Sequence, residues 1–448
     1  MIRLCLLRSF TSTQRTQDKL KFASLKVFKG NTTKFYYNFN PTPENPIQPL
    51  KKHRPPLLER AKESFEGRFL PSGYPNSTKS GYIPYISHVI LSNCSLCTMN
   101  FMITQSLFVA VGTQGPTILL SAALTWALKD GLGLIAGIIA AKPLGNLLIE
   151  DIKRWRFNGF ALLGLAHGID LCALLLPGYF LPIVAVSSSI KSIAYICLYS
   201  SAAKINKHFA PNNNLTDIET KFRAQIMLGN MAGFIIGLGL SKLIAVGNAT
   251  AMAFLVLIGT AISLSTANYS FKRIDTVYFN DQRINIIMDY YLKNGEVLSP
   301  SEVSKQEKYF FTSFYVNKRV IIGGKPIEKA LGELNEDERQ VILNKFDGIK
   351  FMCFPRRNKA LRLNKYPIDV RIYYQKGATY EDVLNGYRFA AKMQENLMKG
   401  YELKDSIDYT FKDLKKETKE IFMNKLLAAG WKIGYMHIRY TKYQYNYD

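Results

Sequence analysis

Long apolar runs separated by short polar breaks dominate the middle of the chain. Between Ile86 and Tyr269 only 17 of 184 residues are charged, less than half the 21% density of the whole sequence. Ile86 to Gly112 has no charge beyond what His88 can carry, and Asn158 to Ile190 is interrupted only by His167 and Asp170. Each run exceeds the ~20 apolar residues that cross a bilayer as a helix. Six helix-length segments can be cut from the region, at 86–111, 116–141, 157–177, 180–203, 218–243 and 248–269. The breaks fall at Gly112/Gly115-Pro116, Lys142-Pro143, Pro177-Gly178, the polar run Lys204 to Asp217, and Gly247-Asn248. The expected fold class is mainly α: a polytopic helical membrane bundle of about six spans, followed by a smaller α+β soluble domain.

The connections alternate in charge. Lys142, Lys153, Arg154 and Arg156 follow the second segment, Lys204 and Lys207 the fourth, and Lys272 and Arg273 the sixth. The connections after the first, third and fifth carry none, with Lys242 just before the last. The positive-inside rule reads this as six spans with both ends on one side.

The fifth segment opens with Thr216-Asp-Ile-Glu219, which has the spacing of a capping box. Gly229, Gly233 and Gly237 then recur every fourth residue, on one face of a helix. In water each would destabilise the helix by about 1 kcal/mol relative to alanine. In lipid the same stripe permits close backbone packing. Gly133-xxx-Gly137 repeats the device in the second segment. Neither run is a dinucleotide fingerprint, because no strand precedes and no βαβ unit follows.

Outside the apolar region the composition changes. Residues 1–30 hold seven basic residues and one acid among scattered apolar and hydroxyl side chains, the composition of a mitochondrial transit peptide. A cleavage site would fit near Arg8-Ser-Phe-Thr-Ser. Residues 31–68 form a basic, Pro-rich linker, and Phe69-Leu-Pro-Ser-Gly-Tyr-Pro-Asn-Ser leads into a membrane domain of residues 69–270. The tail, 271–448, reads as α+β. Thr276 to Lys293, Thr379 to Met398 and Asp413 to Ala429 suit helices; Val370 to Tyr374 and Gly434 to Tyr440 suit strands.

The net charge of +24 is spread over leader, membrane flanks and tail, whereas a nucleic-acid binder concentrates it on one face. The expected surroundings are therefore a lipid bilayer and no nucleic acid. Six cysteines form no disulfide framework, and Cys94-Ser-Leu-Cys97 lacks a second pair, so these side chains read as core. The sequence has no Ser/His/Asp nucleophile pattern and no HExxH. Gly323-Gly-Lys325 lacks the rest of a P-loop. We expect no enzyme, no metal and no cofactor.

Several short motifs carry a family likeness. They are Leu-Pro-x-Gly-Tyr-Pro-x-Ser within Phe69 to Ser77, Thr104-Gln105, Trp126 to Gly131, and Lys153-x-Trp155-Arg156. His208-Phe-Ala210 follows, then Asn214, Asp217, Lys221 and Gln225 in the spacing Asn-x-x-Asp-x-x-x-Lys-x-x-x-Gln. In these the chain resembles the Root UVB Sensitive family, over about Phe69 to Tyr269. The resemblance implies an organellar or other intracellular membrane protein, linked in plants to ultraviolet sensitivity, auxin transport and pyridoxal-phosphate balance. The chain departs from the family at Gly159-Phe160, Leu163-Gly164 and Ser201-Ala202-Ala203, where the family carries further polar groups.

Polar groups left within the spans are the candidates for a substrate or ion path: Lys129, Asp130, Asp170, Lys191 and Asn230. An ionisable residue there costs ~2.5–3.5 kcal/mol on insertion scales and usually faces a partner or a wet cavity. Lys129-Asp130 suits a mutually compensating pair at a helix break before Gly131. Asp170, with His167 one turn back, suits substrate or proton handling, or a buried structural bond; Lys191 suits snorkelling. Trp155-Arg156 beside Glu150-Asp151 suits a membrane-edge anchor with loop ion pairs. Two functions fit: transport or homeostasis of a small metabolite, for which a homodimer or a pairing with a related family member would complete a path, and a non-transporting scaffold whose tail recruits a protein.

Overall fold

The computed structural model describes residues 25–29, 32–38, 48–49, 57–112, 119–245, 247–310, 319–357, 368–416, 418–434, 436–438 and 444–445. Apart from Leu25–Lys29, the leader read from the sequence lies outside them, as does the break at Gly115-Pro116. The chain divides into two compact units, one from residues up to 79 with 209–224, the other from 80–208 with 225–448. In the smaller unit β1 (Leu25–Lys29), β2 (Thr32–Asn38) and β3 (Gln48–Pro49) form an antiparallel sheet. Helix α1 (Leu57–Phe69) follows, so the stretch expected as a linker carries two strands and most of a helix.

The apolar region forms α2 (Tyr82–Gly112), α3 (Leu119–Glu150), α4 (Ile152–Leu175), α5 (Phe180–His208), α6 (Leu215–Leu243) and α7 (Ala249–Phe271). All six are long and apolar enough to cross a bilayer. Most run past the ends read from the sequence, and one expected break is absent. Helix α3 continues through Lys142-Pro143 to Glu150. A proline inside a helix removes one backbone hydrogen bond and costs ~3 kcal/mol or more. Beyond it Leu144 and Leu148 are buried against Cys197, with Trp155 packed alongside, and that burial keeps the last two turns helical. Asp151 alone then joins α3 to α4, and its carboxylate caps α4 by accepting the Arg154 N–H at 3.3 Å.

Helices α2, α4 and α7 pack on one another, while α5 lies against α3 and α4. Small and hydroxyl residues line the seams: Ser187 donates to the Ala166 carbonyl at 3.0 Å and Ser95 to that of Gly259 at 2.9 Å. Side chains pointing away from these seams are apolar, as at Leu134, Ile138 and Ile139 of α3, where Ile138 is 76% exposed. An outward face of this kind has lipid as its solvent.

The tail is a smaller α+β region with its own core. It runs β4 (Phe279–Asn280), α8 (Asp281–Asn294), α9 (Pro300–Gln306), β5 (Val320–Ile322), α10 (Ile327–Leu331), α11 (Glu336–Lys345), β6 (Phe351–Arg357) and β7 (Ile368–Gln375). Then come α12 (Tyr380–Met398), α13 (Leu403–Lys416), α14 (Lys419–Ala428), β8 (Met436–His437) and β9 (Gln444–Tyr445). Strand β7 pairs antiparallel with β6 and parallel with β5 and β9. A capping box between Thr379 and Asp382 starts α12, which lays Gly386 against Ile372, Tyr374 and Phe351 of the sheet. The single helix expected over Asp413 to Ala429 is instead the end of α13 and all of α14. Thr418 caps the second helix through the Ile421 N–H, so the chain restarts there. The last expected strand shortens to β8, and Trp431 before it stacks on Phe279 at 4.9 Å.

Candidate functional site

Asp170 of α4 and Lys191 of α5 form an ion pair at 2.5 Å, with the aspartate 2% and the lysine 20% exposed. Lys191 therefore reaches a buried carboxylate and does not snorkel to the membrane edge. One turn back on α4, His167 is buried, and its Nδ1 has no hydrogen-bond partner. These three groups place a charge pair and an imidazole between two membrane helices.

The other path candidates lie elsewhere. Lys129 meets Asp130 at 2.8 Å and sits over the Trp126 ring, 5.4 Å from its centre. Trp126 itself stacks on Phe108 at 5.0 Å. The compensating pair forms, but α3 runs unbroken through Gly131 because its hydrogen-bond ladder continues past the pair. Asn230 is exposed on α6.

The Lys153-x-Trp155-Arg156 motif sits where α4 meets the tail. The Lys153 Nζ donates to the Glu307 carboxylate at 2.6 Å and to Ser304 Oγ at 2.7 Å. Arg283 of α8 holds the other Glu307 oxygen at 2.6 Å. Ser304 in turn donates to the carbonyl of Ile274 at 2.9 Å, just past α7. Arg154 pairs with Asp151 at 3.4 Å and donates to Gln282 at 2.6 Å. Phe157 packs on Tyr309 and Phe310. Burial alone pushes the Glu307 carboxyl up, yet the charges of Arg283 and Lys153 and the hydrogen bonds they donate outweigh it and hold the group below its ordinary value. Burial, with the charges of Glu307 and Asp151, pushes the Tyr309 hydroxyl well up.

Arg156 is 4% exposed and donates to the Leu198 carbonyl at 2.7 Å, and Trp155 packs on the Leu144 and Leu148 cluster. The expected membrane-edge anchor with loop ion pairs is thus a buried junction, because the tail covers this end of α4.

In the smaller unit two distant motifs meet. The Asp217 carboxylate accepts the Ser72 N–H at 2.7 Å, Asn214 donates to the Ser77 carbonyl at 2.9 Å, and Lys221 donates to the Gly67 carbonyl. The helix starts at Leu215, so Thr216 lies inside it, and its carbonyl accepts from Thr220. The expected capping box at Thr216 falls away because the helix already starts before it, with the Ile218 N–H bonded to the Asn214 carbonyl, while Asp217 serves the Leu-Pro-x-Gly-Tyr-Pro lead-in. His208 ends α5, and Gln225 is buried and donates to the Tyr82 hydroxyl at 3.4 Å.

The glycine stripe of α6 faces α2. A Cβ at Gly229 would come within 2.5 Å of the Ile90 carbonyl oxygen, one at Gly233 within 2.8 Å of the Cys97 Cβ, and one at Gly237 within 2.7 Å of the Phe101 ring. Thr98 crosses the seam to donate to the Gly233 carbonyl at 3.0 Å.

Sequence reasoning missed Arg283, Ser304, Glu307 and Tyr309. Each stands in ordinary soluble-domain sequence, and the one available signal was the excess of cations at the start of α4, which calls for a buried anion.

Six apolar helices, two of them joined by a buried ion pair, with an α+β region keyed onto one end, define a polytopic helical membrane bundle. The chain belongs to the Root UVB Sensitive family: the vitamin B6 photo-protection and homoeostasis domain matches residues 56–295. It is 28% identical to protein root UVB sensitive 2, chloroplastic, of Arabidopsis thaliana, over 84% of this chain and 83% of that one. It is 25% identical to protein root UVB sensitive 3 of the same plant, over 81% and 82%. RUS family member 1 of Dictyostelium discoideum is 27% identical over 63% of this chain and 54% of its own length. No solved structure matches the chain.

Proposed function

We propose that this protein moves or balances a small metabolite across an organellar membrane, without chemical change to it, and that a B6 vitamer is the first candidate. The observation that carries the reading is the Asp170–Lys191 pair with His167 beside it, inside two spans. Intramembrane ionisable groups mark substrate or proton paths by default. The domain's description supplies the link to vitamin B6. Uptake of pyridoxine, pyridoxal and pyridoxal phosphate by liposomes holding the purified protein tests it. Saturable uptake abolished by Asp170→Asn, with folding intact, supports transport; no uptake of any of the three sinks the B6 assignment.

The six-span unit is analogous to one half of a major-facilitator transporter, so a homodimer, or a related family member, would complete the path. The leader composition favours the mitochondrial inner membrane with both termini on the matrix side, whereas one relative is named as chloroplastic. Import into isolated organelles separates the two. The second reading, a scaffold that recruits a protein, draws on an open cleft of about 860 Å³ in the tail, bordered by Thr379, Glu381, Lys419 and Asn424.

A further inference from the structure

Arg156 is a buried cation inside a membrane span that no carboxylate answers among the described residues. Its one hydrogen bond goes to a neutral acceptor, the Leu198 carbonyl, and its Nε has no partner. The guanidinium lies 5.7 Å from the centres of the Tyr85 and Phe160 rings. His88, on the same face of α2 as Tyr85, packs edge-on against Phe160 at 5.1 Å and Phe271 at 5.4 Å. Its Nδ1 bonds Ser92 at 2.8 Å and Thr266 at 3.0 Å, which leaves Nε2 without a partner. Ser270, one turn beyond Thr266 on α7, is 0% exposed, and its Oγ also lacks a partner.

Three polar groups with unpartnered atoms therefore gather where α2, α4 and α7 pack together. Buried polar atoms nearly always have partners, and a buried cation is tolerated only when an anion answers it. The neighbouring charges do not supply one. Asp151 is taken by Arg154, and Glu307 is shared between Lys153 and Arg283. The local balance at this end of α4 is positive.

We infer that Arg156, His88 and Ser270 form a binding site for a small oxyanion, a phosphate or carboxylate group, at the end of the bundle nearest the tail. A guanidinium matches two oxygens of such a group, and Ser270, together with His88 in the tautomer that carries its proton on Nε2, would donate from α7 and α2. The site is separate from Asp170 and Lys191, and it requires binding only, whether or not the protein transports.

Thermal unfolding of the full chain in phosphatidylcholine nanodiscs, with inorganic phosphate against matched chloride, tests the assignment. Phosphate should raise the midpoint saturably, since a ligand of the folded state stabilises it. Arg156→Gln and His88→Phe should each weaken the effect at least roughly tenfold, the loss expected of one charge-assisted hydrogen bond. Without phosphate, Arg156→Gln should unfold no earlier than the parent, because it removes an unanswered charge. His88→Phe keeps an aromatic ring between Phe160 and Phe271, so it reads the site even if the arginine variant does not accumulate. A midpoint raised by phosphatidylglycerol alone and lost in both variants would assign the same chemistry to a lipid headgroup. An equal rise in parent and variants, or none in either lipid, overturns the site.

Discussion

Lys153, in the first turn of α4, and Glu307, just past α9, meet at 2.6 Å with side chains 2% and 1% exposed. The contact spans 154 residues of sequence and joins a membrane helix to the tail. Arg283 completes the set from α8, so two buried cations share one carboxylate.

Removing the carboxylate would strand both cations. Breaking a buried ion pair from one side costs about 3–5 kcal/mol, because the remaining charge has no water to return to. Glu307→Gln should therefore loosen the tail from the bundle, read as faster proteolysis after Phe271 and a lower unfolding midpoint. A variant as resistant as the parent would show that the junction is dispensable.

The same group gives a pH dependence with a definite sign. The folded protein holds the Glu307 carboxyl below its ordinary value of 4.5. The stability this confers is present in full above that value and is lost as pH falls below it. Unfolding midpoints between pH 7 and pH 3 should drop steeply for the parent and more gently for Glu307→Gln. Parallel curves would remove Glu307 from the account.

On the α6 face, Gly233→Leu places a side chain where even a Cβ would meet Cys97 at 2.8 Å. Helix association in lipid depends on this close approach. We expect a sharp loss of accumulated protein. Leu238→Phe, at a position 44% exposed on the outward side, should do little. Equal yields of both variants would mean that the stripe is no packing surface.

In the smaller unit, Asp217→Ala removes the acceptor of the Ser72 N–H. A charge-assisted bond of this kind is worth roughly 1.5–3 kcal/mol when buried and less in its partly exposed setting. Trypsin should then cut sooner at Lys79 and Arg68, with the rest of the digest unchanged. An unaltered cleavage rate would show that the lead-in is held by other contacts.

Span number is open to a direct check. In a cysteine-free background, Gly178→Cys, in the turn between α4 and α5, and Lys293→Cys, on α8, should react with an impermeant thiol reagent from opposite sides of sealed vesicles. Labelling of both from one side would refute the alternating arrangement.

The sequence by itself determined the six apolar helices, the existence of an α+β tail and the α6 glycine face. Each follows from local composition or period, which a bilayer or a helix reads without reference to distant residues. It also marked Asp170 and Lys191 as costly, since charge in an apolar run stands out wherever the partner lies. Only the tertiary structure decided that these two answer each other, that Pro143 sits inside a helix held by Leu144 and Leu148, and that Asp217 accepts from Ser72 of the lead-in. The role of Lys153 was likewise invisible, because its partners Ser304 and Glu307 lie about 150 positions away and look like any surface residues until folding buries them. Periodicity fixes which face of a helix is apolar; which buried charge meets which is set by the packing of elements far apart in the chain, and no local pattern encodes it.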